Sequence, residues 1–305
     1  MTQQMTGRPA GDSVNDKYAA LLAYLRGLGS VAIAFSGGVD STFLLAAARE
    51  ALGDNVLAVT ASSPSFPGRE REEAVHFCED YRIRHCVVET DELSLETYRS
   101  NPPDRCYLCK RRLMGRIMET AAKQGIRHVA EASNMDDNGD YRPGLRAVAE
   151  LGILSPLREA GLTKQEIRGL SRQLHLPTWD KPSYACLASR FVYGEPITEE
   201  KLQMVGKAEQ LLMDLDFKQM RVRIHGRMAR IEVLPQDLPK ILQEPVRSRI
   251  TQALHEYGFT YVSLDLDGYR TGSMNEVLGR QVREAGLKAQ TGEGRSCGLR
   301  GEDRE

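Results

Sequence analysis

The sequence has no apolar run long enough to cross a bilayer. Its longest such stretches, Val31 to Phe35 and Phe43 to Ala48, fall far short of the ~20 residues a spanning helix needs. The N-terminal MTQQMTGRPAGDS is polar and lacks the apolar centre of an export signal. Charge of one sign is also missing: 41 Lys and Arg stand against 42 Asp and Glu, a formal net charge of −1. Nothing global therefore draws the chain to nucleic acid or to an anionic membrane surface. Six cysteines in 305 residues are too sparse for a disulfide scaffold. Neither the Walker loop GxxxxGK[ST] nor the dinucleotide loop GxGxxG occurs. These absences leave a soluble, cytoplasmic globular protein as the expectation, of about two domains at ~150 residues each.

What is present alternates. Residues 1–14 read as disordered. Asp16 to Gly29 reads as a helix, with Leu21, Leu22, Leu25 and Leu28 on one face and Gly29 as its stop. Val31 to Phe35 is a short, wholly apolar run, as a buried parallel strand requires. Further strands are expected at Val56–Thr60, His85–Glu89 and His128–Glu131. Helices are expected at Asp40–Leu52, Arg69–Tyr81, Arg105–Gly125 and Leu162–Leu174; in the last, Thr163 and Glu166 form a capping box. Residues 91–104, with Asn101-Pro102-Pro103, read as a loop or a broken helix. Strands alternating with helices imply an α/β domain, a parallel sheet covered on both faces.

Near residue 195 the pattern changes. A helix, Thr198 to Leu215, precedes two period-two segments, Gln219–Ile224 and Met228–Val233, around the turn His225-Gly226-Arg227. A hairpin is expected there, then a helix from about Gln236 to Tyr257 and a strand at Tyr261–Asp267. The expected organisation is a disordered N-terminus at 1–14, an α/β domain at 15–195, a smaller α+β domain at 196–284 and a mobile tail at 285–305.

The strongest local signal is Ser36-Gly37-Gly38-Val39-Asp40-Ser41-Thr42 between a strand and a helix. Two glycines let the backbone turn tightly and approach a ligand. Free N–H groups at the helix start then favour phosphate. Ser36, Ser41 and Thr42 add hydroxyls, and Asp40 could hold Mg²⁺ against the same phosphates. The bland alternative is a plain strand-to-helix turn. A second polar loop, Ala132 to Gly144, ends a strand and offers Asn134, Asp136 and Asp137. It reads as a ligand loop at the carboxyl end of a parallel sheet, or as an acidic surface loop. In Lys181-Pro-Ser-Tyr-Ala-Cys186-Leu-Ala-Ser-Arg190 one cysteine lies between two cations, which favour a thiolate, although a lone cysteine is more often inert packing. Cys106 and Cys109 form the one CxxC pair, open to zinc, a redox disulfide, a cluster or chance. Arg221 and Arg223 alternate on one strand face, as phosphate or carboxylate ligands or as solvated side chains. Arg99 to Arg116 is a basic stretch, either a solvated helix face or a positive wall for substrate phosphate.

SGGVDST after an apolar strand resembles the PP-loop of the ATP pyrophosphatase superfamily. That implies an adenine nucleotide alpha hydrolase-like fold and cleavage of ATP between its α and β phosphates. With the segments around Asn134, Cys186 and Asn101-Pro-Pro-Asp-Arg-Cys-Tyr-Leu-Cys-Lys110, the chain closely resembles the LarE family over about residues 16–275, the RVRIHGRMARIEV hairpin included. The resemblance implies a sulfur transferase of nickel-pincer nucleotide synthesis. Its substrate would be a pyridinium-3,5-biscarboxylic acid mononucleotide, adenylated and converted to thiocarboxylates. ATP and Mg²⁺ would bind at Ser36, Gly37, Gly38, Asp40, Ser41 and Thr42, with Asn134, Asp136, Asp137 and Lys181 completing the site. Arg190, Arg221 and Arg223 would hold substrate.

The sulfur would come through Cys186. In one version Cys186 attacks the adenylate and is spent as dehydroalanine. In the other, Cys106, Cys109 and Cys186 hold a [4Fe–4S] cluster with one iron open, since full protein ligation takes four thiolates. Sulfide or another sulfur donor would then be consumed. The family resemblance also implies a homo-oligomer. Two alternatives stand: a PP-loop tRNA thiolase with the same cluster, and an inactive ATP-binding regulatory protein. Against the first, residues 200–305 hold 17 Lys and Arg against 16 Asp and Glu, no obvious basic RNA platform.

Overall fold

The computed structural model describes residues 13–137, 143–270 and 272–273. The expected tail at 285–305, Cys297 and residues 1–12 lie outside the described residues. Val14–Leu28 (α1) begins two residues earlier than its apolar pattern suggests, because Ser13 and Asp16 form a capping box. Then follow Val31–Ala34 (β1), Val39–Leu52 (α2), Val56–Ser62 (β2), Gly68–Asp80 (α3) and Arg84–Glu89 (β3). Residues 91–104 hold two single turns, Glu92–Ser94 and Glu96–Arg99, before Arg105–Lys123 (α4). Val129–Ala130 (β4), Gly144–Glu150 (α5) and Lys164–Gln173 (α6) complete the first layer set. The four strands form one parallel sheet in the order β3-β2-β1-β4. Every strand reaches the next through a helix, the connection that parallel pairing requires.

The apolar strand β1 is buried because both faces are covered. One core packs Ile33, Phe43, Leu44 and Leu45 against Leu21 and Leu25 of α1 and Ile167 of α6. A second joins Ala32, Leu57 and Val59 to Met114 and Ile117 of α4.

A separate sheet follows. Glu199–Asp214 (α7) leads into Met220–His225 (β5) and Met228–Val233 (β6), an antiparallel pair, and Tyr261–Leu264 (β7) pairs parallel with β6. The long helix expected at Gln236–Tyr257 is two: Leu238–Leu242 and Val246–Glu256 (α8), parted at the Glu244-Pro245 bond. Proline lacks the N–H that a continuous helix would use there. The core of this sheet also takes in Tyr98, Leu187, Ala188 and Phe191 from earlier in the chain. Among the described residues no helix is long and apolar enough to cross a membrane.

Candidate functional site

The carboxyl ends of β1, β2 and β4 open on one edge of the parallel sheet, where α/β proteins bind ligands. After β1 the chain turns through Gly37, whose φ of +68° belongs to the left-handed region that glycine adopts freely. The Ser36 and Ser41 hydroxyls lie 3.1 Å apart, and the Ser41 hydroxyl donates to the Gly38 carbonyl at 3.2 Å. Thr42, fully buried, has a hydroxyl with no hydrogen-bond partner among the described residues. The start of α2 therefore presents a tight, hydroxyl-rich loop with unspent donors.

The second polar loop closes on the first. Asn134 donates its side-chain amide to Asp40 at 3.4 Å, and its backbone N–H to Asp137 at 2.9 Å. Asp136 donates its backbone N–H to the Asn134 side chain at 2.9 Å. Its carboxylate accepts from the Lys164 backbone N–H at 2.9 Å, at the start of α6. The Lys164 ammonium bonds the Asp40 carboxylate. Sequence reading missed Lys164, 124 residues from Asp40; its one local signal was the Thr163–Glu166 capping box, which the structure contains. Lys181 donates to the Gly37 carbonyl at 2.9 Å and pairs with Glu73 at 2.5 Å. Beside this edge a cleft of about 370 Å³ lies between the ends of β2 and β3, lined by Ala61, Ser62, Phe66, Arg71, Glu89 and Thr90.

Residues 181–191 connect that edge to the second sheet. Leu187 donates its N–H to the Ser65 carbonyl at 2.8 Å, and Phe191 bridges Ile224 of β5. Cys186 sits at the cap of the short turn Leu187–Arg190. The two cations that flank it in sequence are both engaged: Lys181 as above, and Arg190 in a bidentate pair with Glu209 of α7 at 2.7 and 2.9 Å, with a further donation to the Cys186 carbonyl at 3.3 Å. Arg190 is 1% exposed. Arg223, also buried, forks onto Glu232 at 3.1 and 2.9 Å and donates to the Ser189 carbonyl at 3.0 Å. Arg221 differs. It donates to the Ser183 and Met220 carbonyls at 2.6 Å and lies over Tyr269, but has no carboxylate partner among the described residues. Burial, with Arg190 alongside, pushes its guanidinium below the usual range, as befits a cation short of an anion.

Cys106 and Cys109 lie three residues apart in the first turns of α4, on one helix face. Cys109 and Cys186 both pack on the core of the second sheet, which includes Tyr98. Burial holds the Cys109 thiol well above its usual range, and the neighbouring Cys186 and Cys106 sulfurs add to that. The three thiols thus share one electrostatic environment. As placed, no three His, Cys, Asp or Glu side chains among the described residues make a metal-ligating group. The five described cysteines are free thiols. The basic stretch of α4 is partly neutralised: Arg112 pairs with Asp91 at 2.6 Å, Arg116 with Glu119 at 3.1 Å and Lys110 with Glu131 at 3.4 Å.

No family model matches the chain. It is 38% identical over 263 residues to pyridinium-3,5-bisthiocarboxylic acid mononucleotide synthase, the LarE protein, of Lactiplantibacillus plantarum. The match spans 86% of this chain and 95% of that one. The chain belongs to the LarE family. An uncharacterized protein of Synechocystis sp. is 44% identical over 246 residues, 81% of this chain and 92% of its own. Argininosuccinate synthase of Natronomonas pharaonis is 30% identical over 187 residues, 55% of this chain and 46% of its own. That likeness reaches beyond the LarE family into other PP-loop proteins, as SGGVDST and the parallel sheet lead one to expect. In this LarE-family chain the loop carrying Cys186 is the physical link between the phosphate loop and the CxxC helix.

Proposed function

We propose that the protein is an ATP-dependent sulfur transferase acting on a pyridinium-3,5-biscarboxylic acid mononucleotide, which it adenylates and converts to thiocarboxylates. The observation that carries the reading is the segment 181–191. At one end Lys181 holds the phosphate loop through the Gly37 carbonyl, and five residues later Cys186 lies beside Cys109. Activation by ATP and delivery of sulfur thus meet on one short loop.

In this reading the N-terminus of α2, with Ser36, Gly37, Gly38, Ser41 and Thr42, cradles the ATP phosphates. Asp40 holds Mg²⁺, with Asn134, Asp136 and Asp137 shaping its surroundings, and Lys164 passes from Asp40 to phosphate. Arg221, the buried cation without a carboxylate, takes the substrate phosphate. Arg190 and Arg223, paired to Glu209 and Glu232, hold the backbone of the Cys186 loop instead of binding substrate directly. Cys106, Cys109 and Cys186 would supply three thiolates, the number that a [4Fe–4S] cluster with one open iron takes from a protein. When bound, such a cluster would supply a site for exogenous sulfide and spare the protein's own cysteine. The protein's own part is to exclude water and to hold the adenylated carboxyl beside Cys186.

The test is anaerobic incubation with ATP, Mg²⁺, sulfide and the dicarboxylate mononucleotide. AMP should form together with a product in which sulfur replaces one carboxylate oxygen, seen by mass spectrometry. Arg221→Ala should weaken the mononucleotide by roughly 1.5–3 kcal/mol, the worth of a hydrogen bond to a charged group, and leave ATP binding alone. AMP formation that ignores the mononucleotide but follows added tRNA would favour the thiolase reading.

A further inference from the structure

Arg221 and Glu232 stand opposite each other in the β5–β6 register, yet the two are not paired. The Glu232 carboxylate is taken by Arg223 at 3.1 and 2.9 Å and by Arg230 at 3.1 Å. The Glu209 carboxylate is taken by Arg190 and by the Val222 backbone N–H at 3.0 Å. Arg221 spends Nη1 and Nη2 donors on the Met220 and Ser183 carbonyls, each at 2.6 Å, and these carry no net charge. What stands against its guanidinium is aromatic. The centre of the Tyr269 ring lies 5.1 Å away and that of Tyr184 6.0 Å. An aromatic face attracts a cation without neutralising it. The place of Tyr269 is fixed by its backbone. Its N–H donates to the Val233 carbonyl at 2.8 Å, at the end of β6. Gly268 before it has a φ of +71°, and a Cβ there would sit 2.8 Å from that same carbonyl. Glycine alone passes this turn without strain, and the turn delivers the next side chain, Tyr269, to Arg221. On its other side Arg221 is tied to Ser183, three residues before Cys186.

We infer that Tyr269 is a positioning residue for recognition of the mononucleotide phosphate: its ring holds the Arg221 guanidinium in place and leaves the charge unspent for that anion. The inference rests on the proposed function above, in which Arg221 takes the substrate phosphate. A carboxylate in place of the ring would hold the guanidinium as firmly. It would also spend the charge within the protein, as Glu209 and Glu232 do for Arg190 and Arg223. Burial, with Arg190 nearby, already holds the Arg221 guanidinium below its usual range. A phosphomonoester entering there meets a cation stripped of water, where a charge-assisted hydrogen bond is strong. The chemistry selected is therefore a nucleotide over the nucleoside. The nucleoside with the same two ring carboxylates and no phosphate leaves Arg221 without its anion.

The experiment uses the full chain and reads substrate-dependent ATP–pyrophosphate exchange. Its two probes are the pyridinium-3,5-biscarboxylic acid mononucleotide and the same nucleoside without the phosphate. The native protein should favour the mononucleotide by ~10-fold or more in KM, the scale of one hydrogen bond to a charged group. Tyr269→Leu should raise the mononucleotide KM by roughly 5- to 30-fold, the worth of a cation–π contact, and leave kcat and the KM values for ATP and the nucleoside within about twofold. Tyr269→Phe should behave as native, because the ring and not the hydroxyl meets the guanidinium. In an Arg221→Ala background Tyr269→Leu should add no further loss, since it acts through that cation. An unchanged mononucleotide KM in Tyr269→Leu overturns the proposal. Equal losses for mononucleotide and nucleoside also overturn it, as they would make Tyr269 a packing residue. Should Tyr269→Leu fail to fold, a ring-fluorinated phenylalanine at position 269 keeps the shape and drains the negative face of the ring. The mononucleotide KM should then rise, and an unchanged value overturns the proposal. Native exchange that treats the two probes alike removes the phosphate role of Arg221, and this proposal with it, while the rest of the substrate reading stands. Native protein with no mononucleotide-dependent exchange overturns the substrate reading itself.

Discussion

Asp40 and Glu131 are buried or half-buried carboxylates whose partners decide what they do. Asp40 is bonded by Lys164 and Asn134, so replacing it by Asn should spare the fold and remove the charge proposed to anchor a metal. Asp40→Asn should lower mononucleotide-dependent AMP formation by ~10²-fold or more, comparable to losing one preorganised electrostatic contact. Unchanged Mg²⁺-dependent AMP release would take Asp40 out of the mechanism. Glu131, 3% exposed, shows the opposite balance. Burial raises its carboxyl, but Lys110 and hydrogen bonds from Ser155 and Ser133 outweigh that and hold it below the ordinary 4.5. A depressed carboxyl stabilises the fold above its unfolded value, and that stability is lost as pH falls through the folded one. Glu131→Gln should therefore destabilise the protein at pH 7 by about 1.5–3 kcal/mol, on the scale of hydrogen bonds to a charged group. The gap from native should close progressively below about pH 4.5, measured by urea unfolding across pH. A gap that persists at acid pH would contradict this account.

At the scale of elements, the sequence was most legible where chemistry is local. The apolar run of β1, the glycines at 37 and 38, and the Thr163–Glu166 box each carry their reason within a few residues. The hairpin was legible from its period-two segments, and the structure pairs Arg223 opposite Arg230 and Arg221 opposite Glu232. What could not be read is which arginine meets which carboxylate. Arg223 reaches diagonally to Glu232, and Arg190 finds Glu209 on a helix 19 residues on, so two cations expected at substrate are each paired with a carboxylate of the protein. The Lys164–Asp40 contact was equally hidden, since it exists only once α6 packs beside α2. The break at Glu244-Pro245 was visible as a proline and still read as helix, because the apolar pattern continued across it. Thr163→Ala tests an element directly. Losing the cap should cost about 1 kcal/mol of stability. It should also weaken ATP binding, because Lys164 rides on the first turn of α6. A stability loss with unaltered ATP affinity would detach α6 from the nucleotide site.

At the scale of the molecule, two sheets with separate cores meet along the loop 181–191, held by Leu187 to Ser65, Phe191 to Ile224 and Arg221 to Ser183. That arrangement gives the central claim its sharpest form. In the proposed reaction sulfur enters beside Cys186, with Cys106 and Cys109 as partners and the adenylated substrate opposite. Cys186→Ala abolishes product under either version of the chemistry and so decides nothing. Cys106→Ala does decide. The measurement is iron and sulfide content of anaerobically purified and reconstituted native and Cys106→Ala protein, with intact-protein mass spectrometry after turnover with ATP and the mononucleotide. The account predicts iron and acid-labile sulfide in the native chain, an unchanged native mass after several turnovers, and loss of both iron and turnover in Cys106→Ala. A native chain without iron that loses one H₂S from Cys186 for each sulfur transferred would contradict it.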